Sequence, residues 1–284
     1  MIPRRSRWIA GRSLPVLHPQ VYMQDYPLTD RLPNFAPDFL KKVGLIATDM
    51  DGTLTRHGRF TPQLLQTLEA LKAADVTVLI TTGRSAGWVQ GLVNYLPVQG
   101  AIAENGGLFY ANGNAAPEWL SEIPDQHNHR SALAQMFAHL QDEYPHLQES
   151  TDNRFRLTDW TFDVGGLSAV DLQRLGDRCQ QDGWGFTYST VQCHIRPRAQ
   201  NKGQGLLAVL QHHFPHYPPH LVVTVGDSPN DQELFQDFPN GVGVANLQPY
   251  LDRLTYRPAY LTLGEEIDGF CQLAIALIQA RPGS

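Results

Sequence analysis

Two short stretches each place a pair of carboxylates a few residues apart, Asp49-Met50-Asp51-Gly52-Thr53 and Gly226-Asp227-Ser228-Pro229-Asn230-Asp231. A third stretch, Thr81-Thr82-Gly83-Arg84, offers a hydroxyl and a cation, and Lys202 stands far from all of them in sequence. Brought together, Asp49, Asp51, Asp227 and Asp231 would repel one another, and such a crowd is tolerated around a cation. Hard oxygen ligands without imidazole or thiolate favour Mg²⁺. A magnesium ion among acids, beside Thr82 and a lysine, suits the binding of a phosphoryl group. Lys202 draws attention because lysine is scarce: the others are Lys41, Lys42 and Lys72. It also sits at the expected start of a helix, where a cation opposes the helix dipole. An exposed surface lysine is the plain alternative.

The elements that must position these groups follow from the hydrophobic pattern. Val43–Thr48, Val76–Ile80, Ala101–Ala103, Leu221–Val225 and Gly241–Val244 read as short buried strands. Thr61-Pro62 resembles a helix N-cap followed by proline at the first helical position, and Leu64, Leu65, Leu68 and Leu71 follow at helical spacing. Strands alternating with helices predict an α/β fold with a doubly wound parallel sheet. Asp49, Thr82 and Asp227 each come directly after a predicted strand, so they would converge along one edge of that sheet, where ligands bind. From Leu108 the texture changes to paired strands with interspersed helices, with Asn112-Gly113 as a tight turn. Arg154–Leu157 and Trp160–Val164 read as strands and Ser168–Gln181 as a helix. The expected organisation is therefore an N-terminal extension over 1–42, an α/β core in two pieces (43–107 and 198–284), and an inserted α+β module over 108–197.

Bulk properties narrow the partners. A net charge of −6 over 284 residues argues against nucleic acid held by bulk electrostatics. Cys179, Cys193 and Cys271 are widely spaced and form no CxxC pair, as expected of reduced thiols in a cytoplasmic protein. The acid-poor start with Arg4, Arg5, Arg7 and Arg12 leaves organelle targeting open as the alternative. No apolar run approaches the ~18 residues that cross a bilayer. The histidines at 212, 213, 216 and 220 lie among prolines without regular ligand spacing, which speaks against a soft-metal site.

The residues Asp49-Met50-Asp51-Gly52-Thr53, Thr82-Gly83-Arg84, Lys202-Gly203 and Gly226-Asp227-Ser228-Pro229-Asn230-Asp231 resemble, in order, the four motifs of the haloacid dehalogenase-like hydrolase superfamily. Glu104-Asn105-Gly106, and Asn246 in Val244-Ala245-Asn246, further resemble its Cof-type branch with a large inserted cap. The resemblance covers about residues 43–284, and it implies a phosphatase. Asp49 would be the nucleophile, forming an aspartyl-phosphate, and Asp51 the general acid and base. Thr82 and Lys202 would hold the transferring oxygens. Mg²⁺ would be held by the Asp49 carboxylate, the Asp51 main-chain carbonyl and Asp227, with Asp231 acting through water. Gly52, Thr53, Gly83, Arg84, Asn105 and Asn230 are the implied phosphate- and substrate-binding positions; Arg84 could equally be a structural ion-pair partner. In the cap, Arg154, Arg156 and Arg196 are candidate substrate contacts, along with Asp159, Trp160 and His194. The expected substrate is a small phosphorylated metabolite, a sugar phosphate first. The alternatives are a non-sugar ester such as phosphoglycolate, a phosphomannomutase-like phosphomutase, and an inactive binding module. The short loop from Asp227 to Asn230 favours phosphatase over mutase, and the full set of acids speaks against loss of activity. Monomer and dimer both stay open.

Overall fold

The computed structural model describes residues 37–281 apart from Ala115, so residues 1–36 of the expected extension lie outside the described residues. In chain order the elements are α1 (Pro37–Leu40), β1 (Leu45–Thr48), α2 (Pro62–Ala73), β2 (Thr77–Thr81), α3 (Ala86–Tyr95), β3 (Gly100–Ala103), β4 (Leu108–Ala111) and β5 (Glu118–Trp119). There follow α4 (Gln126–Glu143), β6 (Trp160–Asp163), α5 (Ala169–Gln181), β7 (Trp184–Tyr188) and β8 (Gln192–Pro197). The chain continues with α6 (Lys202–His213), β9 (Val222–Gly226), α7 (Gln232–Asp237), β10 (Gly241–Gly243), β11 (Tyr260–Leu261) and α8 (Glu266–Gln279).

The main sheet has the order β11-β10-β9-β1-β2-β3-β4-β5. β11 through β3 run parallel, while β4 and β5 are antiparallel additions at one edge. β1 is apolar without alternation because both its faces are covered. Ile46 packs with Leu64, Leu68 and Leu71 of α2, Val89 and Val93 of α3, and α8. Leu45 and Ala47 pack on the opposite side with Leu206, Val209 and Leu210 of α6 and Leu234 of α7. Each buried leucine contributes roughly 1.5–3 kcal/mol. α2 starts as its sequence predicts: Thr61 Oγ1 accepts the Leu64 N–H at 3.3 Å, with Pro62 at the first helical position. The strand order reverses at β1. The chain leaves it for β2 on one side and returns through β9 on the other, which is where a doubly wound sheet opens a crevice.

The boundary expected between residues 107 and 108 falls inside this sheet. Leu108, Phe109 and Tyr110 are buried because β4 pairs with β3, from Gly100↔Ala111 to Ala103↔Leu108. The tight turn at Asn112-Gly113 thus belongs to a hairpin of the main sheet. The second module is a three-stranded antiparallel sheet in the order β6-β8-β7, backed by α4 and α5 around Leu133, Phe137, Phe162, Leu175 and Ile195. Arg154–Leu157 is not a strand. Asn153–Phe155 forms a 3-10 turn, because the Asn153 side chain is spent on β6, accepting the Thr161 N–H at 2.9 Å and donating to Thr161 O at 2.8 Å. Among the described residues, no helix is long and apolar enough to cross a membrane.

Candidate active site

β1 ends by handing its chain to β9: the Asp49 N–H donates to Val225 O at 2.8 Å, which sets Asp49 beside Gly226 and the acids that follow. The turn after Asp49 needs Gly52, whose φ is +77° and whose missing Cβ would collide with Asp227 Oδ2. Asp231 holds its own loop in shape. Its Oδ2 accepts the N–H groups of Asp227 (2.9 Å) and Ser228 (3.2 Å). Lys202 is the first residue of α6, whose N-cap Asn201 accepts the Gln204 N–H at 2.8 Å. From there its side chain runs entirely buried to place Nζ 2.6 Å from Asp49 Oδ1 and 2.7 Å from Asp231 Oδ1. The surface-lysine alternative is thereby excluded.

A single ammonium cannot neutralise this many acids in a dry site. Burial, helped by the neighbouring carboxylates of Asp231 and Asp51, pushes the Asp49 carboxyl up to about 7 in spite of Lys202. Burial also raises Asp227, with Asp49 and Asp231 adding to the effect. For Lys202 burial opposes the charge, but Asp231 and Asp49 outweigh it and hold the ammonium protonated. A cation would supply the remaining counter-charge. One oxygen each of Asp49, Asp227 and Asp231 lie within 4.8 Å of one another, and Asp227 Oδ1 is buried without a hydrogen-bond partner. An oxygen-only donor set of this kind fits Mg²⁺.

A narrow cavity of ≈ 20 Å³ lies over Asp49, with room for about one water. Its floor is Asp49, Asp51, Thr82, Gly83, Arg84 and Asn230; its ceiling is Ser189, Val191, Gln192 and His194 from the second module. Arg84 donates to both oxygens of Asp51, at 2.8 Å from Nε and 2.6 Å from NH2, and lies 4.8 Å over the Trp88 ring. Thr82 Oγ1 accepts the Arg84 N–H at 3.1 Å. Asn230 donates to Asn105 Oδ1 at 3.1 Å, while Asn105 Nδ2 is buried with no partner, a donor available to an anion. Thr53 is buried beneath the turn and does not line the cavity. A larger groove of ≈ 580 Å³ between α5, β7 and Pro229 is lined by none of these acids.

The three cap arginines do not face the cavity. Arg154 is exposed and stacks 4.7 Å over Phe155. Arg156 is buried, but its donors are spent on Asp152, Asp159, Gln192 and Gly83 O. Arg196 bonds Gln200 O and, at 3.1 Å, Glu233 of the core, and it lines the other groove. Trp160 lies under Arg130 and against Phe137, away from the cavity. Ser189, Val191 and Gln192 line the cavity without having stood out in the sequence. Asn246 also gains a role: its Nδ2 donates to Gly52 O (3.0 Å) and Asp227 Oδ2 (3.1 Å), pinning the carboxylate against the turn.

Glu104 is the largest addition. Fully buried, it accepts the N–H of Ala86 at the start of α3 (2.8 Å), where Ser85 makes no side-chain cap. It also accepts the N–H groups of Leu157 and Thr158 and the Thr158 hydroxyl, at 3.0, 2.6 and 2.8 Å. One carboxylate thereby caps a core helix and ties down the second module.

A parallel doubly wound sheet, an α+β cap over its carboxyl edge and four acids with a buried lysine define a capped phosphatase of the haloacid dehalogenase-like superfamily, a phosphoric monoester hydrolase. Residues 42–262 match the family model of sucrose-6F-phosphate phosphohydrolase, and the chain belongs to that family. It is 24% identical over 237 residues to a phosphoglycolate phosphatase of Metallosphaera sedula, covering 82% of this chain and 100% of that one. Among solved structures, the sucrose-phosphatase of Synechocystis sp. PCC6803 in complex with sucrose and phosphate superposes with a TM-score of 0.61 at 20% identity, over 84% of this chain and 98% of that chain. The C-terminal domain of the Candida albicans (C. albicans) trehalose-6-phosphate phosphatase gives 0.63 at 14% identity, over 86% and 95%. At these identities the structural matches speak to the fold.

Proposed function

We propose that this protein hydrolyses a small phosphate monoester, a sugar phosphate first, through an aspartyl-phosphate on Asp49 and with Mg²⁺ bound. The observation that carries this is the convergence of Asp49, Asp227 and Asp231 beneath a closed cap, with the Lys202 ammonium on Asp49 and Asp231. Mg²⁺ would be held by Asp49, Asp227 and the Asp51 carbonyl, with Asp231 behind them, and when bound it neutralises charge on the phosphoryl oxygens. An Asp49 carboxylate oxygen forms the new bond to phosphorus as the ester P–O bond breaks, and Asp51 gives its proton to the departing alcohol. Asp51 then takes a proton from water as that water attacks phosphorus and releases Asp49. Lys202, Thr82 and Asn105 Nδ2 would hold the phosphoryl oxygens, so that catalysis is mostly positioning and charge neutralisation. Arg84 bonds both Asp51 oxygens in this closed arrangement, so one of these hydrogen bonds must open for Asp51 to carry the proton it donates. Because the closed cavity accommodates about one water, the cap must open for substrate and close to exclude solvent.

Phosphoglycolate is the second candidate, favoured by the name of the Metallosphaera relative and by the small cavity. The test is release of phosphate from a panel of phosphorylated metabolites, with and without chelator. Activity is expected to vanish on chelation and return with Mg²⁺. Full turnover in excess chelator, or a requirement for zinc, would overturn the site as described.

A further inference from the structure

The ceiling of the cavity contains a group that the phosphoryl chemistry does not use. β8 lies between β6 and β7, so Gln192 and His194 share the face turned to the core, while Cys193 and Ile195 enter the cap's apolar cluster. His194 is buried directly above the loop that carries Thr82. A Cβ built at Gly83 would stand 3.0 Å from its Cε1 and 3.1 Å from its Nε2, so the glycine is what admits the ring. The other ring nitrogen, Nδ1, lies 2.8 Å from Asp159 Oδ2. Asp159 is itself fully buried and accepts from Arg156 NH1 at 2.9 and 3.1 Å. Burial opposes its charge, but Arg156 and His194 hold the carboxyl below the usual range.

This chain of contacts decides the tautomer. A carboxylate only accepts hydrogen bonds, so Nδ1 carries the hydrogen, and in the neutral ring Nε2 keeps its lone pair. Burial pushes the His194 pKa down, which favours that neutral ring. The cations nearby are committed: Arg84 to Asp51, Lys202 to Asp49 and Asp231, and Arg156 to Asp152 and Asp159. We propose that His194 is the residue that reads the alcohol half of the substrate, its Nε2 accepting a hydrogen bond from a hydroxyl near the ester. This rests on the phosphatase chemistry assigned above to Asp49. The selected class is esters of polyols and sugars, and the rejected class is esters whose alcohol bears a carboxylate. Such a carboxylate would meet the Nε2 lone pair and the acids of the floor, with no uncommitted cation among the described residues lining the cavity.

The experiment compares kcat/KM for a hexose phosphate, phosphoglycolate and an aryl phosphate in the wild type, His194→Ala and His194→Gln. The wild type is expected to prefer the hexose phosphate to phosphoglycolate by about tenfold or more. His194→Ala should lower hexose phosphate hydrolysis about tenfold more than aryl phosphate hydrolysis, and His194→Gln, which keeps an acceptor oxygen, should recover part of that difference. A wild type that prefers phosphoglycolate, or variants that lose all three substrates equally, would overturn the assignment of His194 while leaving Asp49 chemistry standing. A wild type inert on every ester, the aryl phosphate included, overturns the phosphatase proposal and this one with it. If the alanine variant does not fold, the wild-type preference and its reduction in His194→Gln decide the matter.

Discussion

Asp49 and His194 face each other across one small cavity, but they arrive there differently. Asp49, Thr82 and Asp227 each stand just beyond a parallel strand, and the strand order alone brings them side by side. His194 sits within an antiparallel strand, and its direction depends on the pleat of β8 and on how the whole cap rests on the core. The core site is crowded with charges that mutually perturb one another. In the cap, by contrast, charges are paired off and a neutral ring is presented. The difference suggests a division in which the floor supplies the reaction and the ceiling supplies discrimination, with the two open to separate alteration.

The strongest way to break that division is at Asp49. Asp49→Asn should lower turnover about 10³-fold or more for every ester and abolish covalent phosphate labelling; near-normal turnover would end the covalent scheme. The same change has a second signature. Asp49 is raised from 3.8 to about 7 in the folded protein, so between those values the folded state holds a proton that the unfolded chain has released. Stability without metal therefore falls as pH rises through that window. Asp49→Asn should flatten the dependence and melt higher than the wild type in chelator at about pH 8. A wild-type melting temperature that climbs across the window would contradict the sign.

Smaller effects sharpen the boundary between floor and ceiling. Glu104→Gln places an amide nitrogen against the N–H donors of Leu157 and Thr158, and should cost about 2 kcal/mol, read as a lower melting temperature and earlier protease cleavage near residue 157. Unaltered stability and cleavage would mean that Glu104 does not tie the cap down. Gly83→Ala pushes against His194 and Asn105, the latter 3.2 Å from the new Cβ, so KM should rise about threefold to tenfold as cap closure is displaced. Unchanged kinetics would show that the ring has room to move. Arg154→Ala should change kcat/KM by less than about twofold for any substrate, since the side chain is exposed over Phe155.

Much of the core could be read from sequence because its signals are local. The apolar runs ending at Thr48 and Val225 identify buried strands, and an acid placed directly after such a strand has one edge of the sheet to occupy. The Thr61-Pro62 start of α2 is local in the same way. The arginines of the cap were misjudged because residue type announces a charge without naming its partner. Arg156 meets acids three and four residues away, but also Gln192 across the cap and Gly83 O of the core, and Arg196 reaches Glu233 of the core; the last two contacts are made only when cap and core are packed together. Glu104 was visible as part of a family pattern, yet the donors it serves at 86 and at 157–158 lie on either side of it in the chain. By itself the sequence determined the α/β core, the order of its motifs and the chemistry those motifs can perform, since each depends on neighbours within a few residues. Only the tertiary structure decided that β4 joins the main sheet, which cap residues face Asp49, and which nitrogen of His194 is left to meet a ligand. Those outcomes depend on strand pairing and on hydrogen-bond partners dozens of residues apart.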